Sequence, residues 1–248
     1  MHNSVADRYH LGNVDSATRR AIEEIVRATF DATVVGVGKD AKRLEYSSVR
    51  VTDVKQLKHP RLVNTYCSRR KQISRSMSQS SYICRNINHF PDTLYDFKCE
   101  ERHQVLNEVF LFHGTTEAAA RSIMAQGFNI QYSSHKAMFG KGIYFAEKFT
   151  KADQYTDNPH DREHLGAELT MLLCRVVLGN AYKCHKKDSK RWTRPPCLTC
   201  KHKECHCWMG DKYNSILGTG VGMLFREFVV YDAAQCYPEY FIKYKRRS

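Results

Sequence analysis

The stretch Phe139-Gly140-Lys141-Gly142-Ile143-Tyr144-Phe145-Ala146 decides how the fold of this 248-residue chain is predicted. Its glycines indicate a tight turn, and the apolar residues that follow indicate a strand. Two other segments belong with it: Phe112-His113-Gly114-Thr115 upstream, and Arg226-Glu227-Phe228-Val229-Val230-Tyr231 downstream. Each of the three places a polar side chain in or beside an apolar strand, where a polar group needs an explanation.

Taken singly, these polar residues have ordinary structural interpretations. His113 would usually be a satisfied core or surface residue, Tyr144 a core aromatic residue, and Glu227 an edge-strand carboxylate facing water. Chemically, a carboxylate can stabilise developing positive charge and polarise an attacking hydroxyl, and a tyrosine can stack on a flat ring. Gly114 lets the backbone approach a ligand closely. Their combination along the chain favours the chemical interpretation.

In this combination and order, the segments resemble the His-Tyr-Glu signature of the poly(ADP-ribose) polymerase family. The ending Tyr237-Pro238-Glu239-Tyr240-Phe241-Ile242-Lys243-Tyr244 resembles the tankyrase branch of that family most. The resemblance is strong from about residue 105 to residue 245, apart from an insertion at about 180–213.

The resemblance implies an NAD+-dependent protein ADP-ribosyltransferase that releases nicotinamide, with Glu227, His113 and Tyr144 as the catalytic residues. His113 would hold a ribose hydroxyl of NAD+, and the backbone of Gly114 would pair with the carboxamide of nicotinamide. Tyr144 and Tyr155 would sandwich the nicotinamide ring. Glu227 would bind the nicotinamide ribose and orient the acceptor.

One residue departs from the family pattern. Where the family usually places a small hydroxyl residue that binds the carboxamide, this chain has Ala152, and either Thr150 or a water could substitute. The loss of one hydrogen bond predicts weaker binding of NAD+ by roughly 0.5–1.5 kcal/mol. Because Glu227 is compatible with elongation, polymer formation is predicted. The alternatives are mono-ADP-ribosyl transfer and a catalytically silent module that binds NAD+ or ADP-ribose.

The predicted fold class is α+β, with mixed, largely antiparallel sheets and a few short helices, as in the ADP-ribosyltransferase fold that the resemblance implies. Residues 1–104 form an N-terminal segment that loosely matches the start of the catalytic domain, with a loop at about 74–104. Residues 105–248 form the catalytic core. The predicted helices are 16–30, one starting at Pro60, 117–126 and 148–155; the predicted strands lie within 45–54, 109–112, 140–145, 169–178, 225–231 and 240–244.

Half of the ten cysteines lie between Cys184 and Cys207. Tetrahedral zinc takes four sulfur or nitrogen ligands, and four cysteines occur within eleven residues here: Cys197, Cys200, Cys205 and Cys207. A structural zinc site is therefore predicted, with Cys184, His185, His202 and His206 as reserve ligands. The alternatives are a reduced cysteine-rich loop and a small zinc module that binds nucleic acid.

The net charge of +13 indicates either a solvated basic surface or contact with polyanions such as nucleic acid. The expected partners are acceptor proteins for ADP-ribose, and no membrane contact is expected because no apolar run of about 18 residues exists. Ten cysteines without a secretory signal favour a reducing compartment, so the expected localisation is intracellular, in the nucleus, the cytoplasm or both.

Overall fold

The structure, a computed structural model, describes residues 9–79, 97, 105–134, 136–185, 192–200 and 212–248. The helices are α1 (Ser16–Thr29), α2 (Pro60–Gln79), α3 (Glu117–Gln126) and α4 (Phe149–Asp153). The strands are β1 (His10–Asn13), β2 (Ser48–Lys58), β3 (Glu108–Gly114), β4 (Ile143–Phe145), β5 (Glu168–Val177), β6 (Ala181–Cys184), β7 (Ser215–Gly218), β8 (Glu227–Val230) and β9 (Cys236–Arg247).

These strands form two sheets. The first has the order β1-β2-β9-β5-β3 and is antiparallel throughout, and the second has the order β4-β8-β7-β6 with one parallel pair, β6 and β7. The predicted α+β class with mixed, largely antiparallel sheets is confirmed. The first sheet joins strands from both sides of residue 104, and the division of the chain at that residue stays a prediction.

The first sheet is covered on both faces because its strands alternate two sets of apolar side chains. Helix α1 packs its buried Ile22 against one face, in a cluster that includes Leu173 and Tyr240. Helix α2 packs Ile73 against the other face, in a cluster with Leu172. That second cluster also contains the inward side chains of β4 and β8, so the two sheets pack together through it.

The structure corrects three predicted boundaries near the N-terminus. Helix α1 is capped by Asp15, whose Oδ1 accepts from the Thr18 N–H at 2.7 Å, and Ser16 is its first helical residue. Strand β2 starts at residue 48 and continues to residue 58. The predicted loop from residue 74 is wrong up to residue 79, because Ile73 and Met77, one helical turn apart, are buried and continue α2. Of the remaining predicted loop, residues 80–96 and 98–104 lie outside the described residues.

Three strands escaped prediction. Strand β1 has four residues, only one of them aliphatic, so its sequence carries no apolar alternation. Strands β6 and β7 flank the cysteine-rich segment, and their pairing is parallel. Because a parallel pair needs a long connection, no short hairpin turn in the sequence marks where these strands begin or end. No helix among the described residues is long and apolar enough to cross a membrane.

A buried ionic cluster fastens the last strand to α4. The carboxylate of Asp153 is fully buried and accepts hydrogen bonds from Tyr46 at 2.6 Å, from Tyr244, and from Nε of Arg246 at 3.0 Å. The same guanidinium donates to Asp157. Arg246 is itself only 3% exposed, so this cluster holds buried charges that satisfy one another.

Candidate active site

His113 is fixed by the contact between β3 and β4. Phe112 and Ala146 exchange two backbone hydrogen bonds, at 2.8 and 2.9 Å, which bring the end of β3 beside β4. Nδ1 of His113 lies 2.8 Å from the carbonyl oxygen of Tyr144. Because a carbonyl can only accept, Nδ1 carries the proton and Nε2 is an acceptor. The ring edge-packs on Phe128, with centroids 5.0 Å apart.

Burial lowers the pKa of His113 below its ordinary value of 6.5, against the opposing effect of its hydrogen bond to the Tyr144 carbonyl. In the unfolded chain this residue binds a proton below about pH 6.5, whereas the folded protein resists protonation. The contribution of His113 to stability is therefore complete above its pKa in the unfolded chain. It is lost as the pH falls from that value through the lower pKa of the folded protein, by up to about 1.4 kcal/mol per pH unit. Urea unfolding between pH 7.5 and 5.5 measures this, and His113→Gln should flatten the dependence. An unchanged slope in that variant would contradict the assignment.

Gly114 follows His113 at a point where the backbone is crowded. A Cβ on Gly114 would lie 1.7 Å from the carbonyl oxygen of Ala152 in α4, far inside van der Waals contact. Only glycine lets α4 lie against the end of β3. Ala152 itself is 2% exposed and packs in the same apolar cluster as Phe112.

Gly114→Ala is expected to destabilise the protein by about 3 kcal/mol, because the obstructing atom belongs to the backbone and cannot rotate away. The melting temperature should fall by roughly 6–12 °C for a chain of this length. The matched control is Gly12→Ala in β1, where the new Cβ would meet its nearest atom at 3.6 Å. Equal melting temperatures for the two variants would show that α4 moves aside freely.

Tyr144 has a ring held at both ends. Its backbone lies in β4, and its hydroxyl accepts from the Phe139 N–H at 2.9 Å and donates to the Gly140 carbonyl at 2.8 Å. Burial raises the pKa of this hydroxyl, and the Glu227 carboxylate raises it further. The Tyr144 ring is therefore fixed in place, and its hydroxyl stays neutral close to the Glu227 carboxylate.

Glu227, the first residue of β8, forms an ion pair with Lys151 of α4 at 3.1 Å. Only 13% and 11% of the two side chains are exposed. The ammonium also donates to the Tyr155 hydroxyl at 2.5 Å and lies 4.7 Å from the centre of that ring. Burial raises the pKa of Tyr155, and the carboxylates of Asp40 and Glu227 and the nearby Tyr144 raise it further. The two tyrosines and the glutamate therefore share one site.

The structure thus places His113, Gly114, Tyr144, Ala152, Tyr155 and Glu227 on neighbouring elements. Sequence reasoning missed Lys151, although its position one helical turn before Tyr155 was a signal for contact between the two. Thr150 is buried, and its Oγ1 lies against the segment after α1, where it accepts from the Asp31 N–H at 2.7 Å.

The turn that precedes Tyr144 contacts Trp192, which lies after β6 in the predicted insertion. The Lys141 N–H donates to the Trp192 carbonyl at 2.8 Å, and a Cβ on Gly140 would lie 2.0 Å from the same oxygen. Gly140 also has a φ of 82°, which favours glycine. The Trp192 ring packs with Phe139 and stacks on Tyr182, with centroids 5.4 Å apart.

Two of the four predicted zinc ligands, Cys197 and Cys200, lie among the described residues. Cys197 is buried and its Sγ accepts from the Thr199 N–H at 3.3 Å, and Cys200 is half-buried. Cys205 and Cys207 lie outside the described residues. Within the described ranges, no group of three or more His, Cys, Asp or Glu side chains could hold a metal ion.

Comparison with known proteins gives matches in one family. The family described as the poly(ADP-ribose) polymerase catalytic domain matches residues 32–246. The human protein mono-ADP-ribosyltransferase PARP11 is 27% identical over 175 residues, which are 61% of this chain and 48% of that protein. Poly [ADP-ribose] polymerase 1 of Caenorhabditis elegans is 29% identical over 168 residues, 58% of this chain and 17% of the relative.

The poly [ADP-ribose] polymerase tankyrase of Caenorhabditis elegans is 26% identical over 165 residues, 56% of this chain and 7% of that protein. The chain therefore spans less than half the length of these relatives. Their similar identities do not single out the tankyrase branch. Because the family match covers most of its length, the chain belongs to the poly(ADP-ribose) polymerase catalytic-domain family.

Proposed function

We propose that this protein is an NAD+-dependent protein ADP-ribosyltransferase that releases nicotinamide. The observation that carries the proposal is the contact of Glu227 with Lys151 at 3.1 Å and of Lys151 with Tyr155 at 2.5 Å, close to Tyr144, in a chain of this family. The relatives named for this activity are longer proteins, so the assignment to this chain rests on its own residues.

The residues present fit the two ends of such a substrate. Gly114 is half-buried at the end of β3, and its backbone N–H and C=O are the groups that would pair with the carboxamide. Nε2 of His113 can accept a hydrogen bond from a ribose hydroxyl, since Nδ1 is committed to the Tyr144 carbonyl. Tyr144 and Tyr155 offer flat rings for the nicotinamide. Ala152 contributes no hydroxyl, which favours weaker binding.

NAD+ supplies an ADP-ribosyl group attached to a good leaving group. In the proposed transfer, the bond between C1 of the ribose and nicotinamide breaks and its electron pair leaves with nicotinamide. An acceptor oxygen forms the new bond to C1; a carboxylate attacks as the anion, whereas a hydroxyl passes its proton to water. Glu227 stabilises the positive charge that develops at the ribose and accepts a hydrogen bond from the attacking hydroxyl. Lys151 holds that carboxylate in place.

We favour polymer formation over single transfer because Glu227 can polarise the ribose hydroxyl of a preceding ADP-ribose unit. Relatives of this chain are named both as mono-ADP-ribosyltransferases and as poly(ADP-ribose) polymerases. The resemblance of residues 237–244 to the tankyrase branch supports the same preference. Single transfer remains the alternative.

The test is incubation of the purified chain with labelled NAD+, followed by a denaturing gel. A high, smeared ladder supports a polymerase, and one discrete labelled band supports single transfer. NAD+ binding without label would contradict the transferase proposal and support a silent binding module. Ala152→Ser would then be the first variant, since it restores the hydroxyl that the family usually has.

We also propose a structural zinc ion bound by Cys197, Cys200, Cys205 and Cys207. The hydrogen bond from the Thr199 N–H to Sγ of Cys197 supports this proposal, because such a donor stabilises a thiolate.

Elemental analysis of the purified protein should find about one zinc per chain, as four ligands imply. Cys197→Ser should lose the metal and lower the melting temperature, since structural zinc contributes directly to folding. The control is Cys67→Ser on α2, an exposed cysteine distant in sequence, which should keep the metal. Absence of zinc from the unsubstituted protein would exclude the site.

We further propose acceptor proteins as the partners, and the nucleus, the cytoplasm or both as the location. The ten cysteines favour a reducing compartment. A contact with polyanions, nucleic acid included, rests on the net charge of +13 alone.

A further inference from the structure

A turn from the N-terminal part of the chain reaches the candidate active site. This turn, Lys39–Ala41, carries Asp40, whose Oδ2 accepts a hydrogen bond from the Tyr155 hydroxyl at 2.8 Å. The same oxygen lies 3.7 Å from Nζ of Lys151. Asp40 is 115 residues from Tyr155 in the sequence, so the contact depends on the tertiary fold.

The position of Asp40 is built into the structure by the loop that follows Tyr155. Arg162 donates to the carbonyl oxygens of Asp40, at 2.6 Å, and of Lys42, at 3.2 Å. Its Nη1 also donates to the carbonyl of Gln154, next to Tyr155, at 3.0 Å. One guanidinium thus ties the backbone of the turn to the backbone beside the tyrosine.

Two further contacts hold the turn. Arg43 donates to the His160 carbonyl at 2.8 Å, and Ala41 is fully buried in a small cluster with Leu44 and Tyr46. The turn is therefore anchored on both sides of Asp40. These contacts fix the backbone of Asp40, so its carboxylate stays close to Tyr155 and Lys151.

The charges in this group do not balance. The ammonium of Lys151 lies between two carboxylates, Glu227 at 3.1 Å and Asp40 at 3.7 Å. One cation cannot neutralise two anions, so a second carboxylate weakens the hold of Lys151 on the first. Half of the Asp40 side chain is exposed, so water screens part of its effect.

We propose that Asp40 is a positioning residue for the transfer, acting through Lys151 and Tyr155. It shares the ammonium with Glu227, so that the glutamate keeps negative charge for the developing cation, and it fixes the hydroxyl of the tyrosine wall. This inference rests on the proposed transferase function. Without Asp40, Lys151 pairs with Glu227 alone and the glutamate is more fully neutralised.

Asp40→Asn tests this, because the amide oxygen can still accept from Tyr155 while the charge is removed. Steady-state transfer from labelled NAD+ should show kcat lower by about three- to tenfold, the range of a partly screened charge interaction, with KM for NAD+ within about twofold. Asp40→Glu should recover most of the rate. The matched control is Asp161→Asn, an exposed carboxylate of the loop that Arg43 contacts, which should behave as the unsubstituted protein.

Four results would overturn the inference. An unchanged kcat in Asp40→Asn removes the role, and a higher kcat would mean that Asp40 restrains the site instead. A fall in kcat accompanied by a lower melting temperature and no recovery in Asp40→Glu would mean a structural role only. An unsubstituted chain with no transfer activity defeats the proposed function and this inference with it, whereas an active chain indifferent to Asp40 defeats the inference alone.

Discussion

Glu227→Gln is expected to lower the rate of ADP-ribosyl transfer by about 10²–10³-fold, the usual cost of removing one preorganised charge-stabilising group. Glutamine keeps the shape and one acceptor oxygen but removes the negative charge that faces the ribose. NAD+ binding should largely persist, because His113, Gly114 and the two tyrosines are untouched. If the chain forms polymer, its product should shorten to single units. Labelled NAD+ with a denaturing gel measures both effects.

The fold should tolerate this exchange. Lys151 retains Asp40 at 3.7 Å and the Tyr155 hydroxyl at 2.5 Å, so its charge is not left isolated. The melting temperature should therefore stay close to that of the unsubstituted protein, which separates loss of chemistry from loss of structure. Glu45→Gln removes an exposed carboxylate upstream of β2 and serves as the control. Normal rate and product length in Glu227→Gln would refute the role given to the glutamate.

Arg246→Met is expected to destabilise the protein by about 3–5 kcal/mol, the cost of breaking a buried ion pair by removing one partner. Methionine fills much of the volume but leaves Asp153, which is fully buried, without its compensating cation. Asp157 also loses a partner. The melting temperature should fall by roughly 6–20 °C for a chain of this size.

The neighbouring residue offers a control with the same chemistry. Arg247 belongs to the same strand but is exposed, so Arg247→Met should change stability by no more than about 0.5 kcal/mol. Denaturant unfolding of the two variants side by side measures the difference. Equal stabilities would mean that Tyr46 and Tyr244 alone satisfy Asp153.

The sequence singled out His113, Tyr144 and Glu227 through the combination and order of three short segments, and the structure places these residues on neighbouring elements. Strands β3 and β5 were predictable because each contains a run of apolar residues, and the structure buries these runs. The family resemblance then supplied roles that no single residue could reveal.

What escaped prediction depends on contacts between distant segments. Asp40 and Lys151 are residue types common on any surface, and only the fold brings them together. The helical end of α2 was missed because the polar residues around Ile73 and Met77 hide their shared face. Strands β6 and β7 pair in parallel across a long connection, so no turn between them marks their ends.

The contact between Trp192 and the signature turn means that the cysteine-rich segment is not a detachable module. Its carbonyl fills the space that Gly140 leaves and receives the Lys141 N–H, while its ring covers Phe139. A chain without Trp192 would lose the carbonyl and the ring that support the turn before Tyr144. Transferring the segment into a relative would require transferring the turn as well, because Trp192 and Gly140 fit each other.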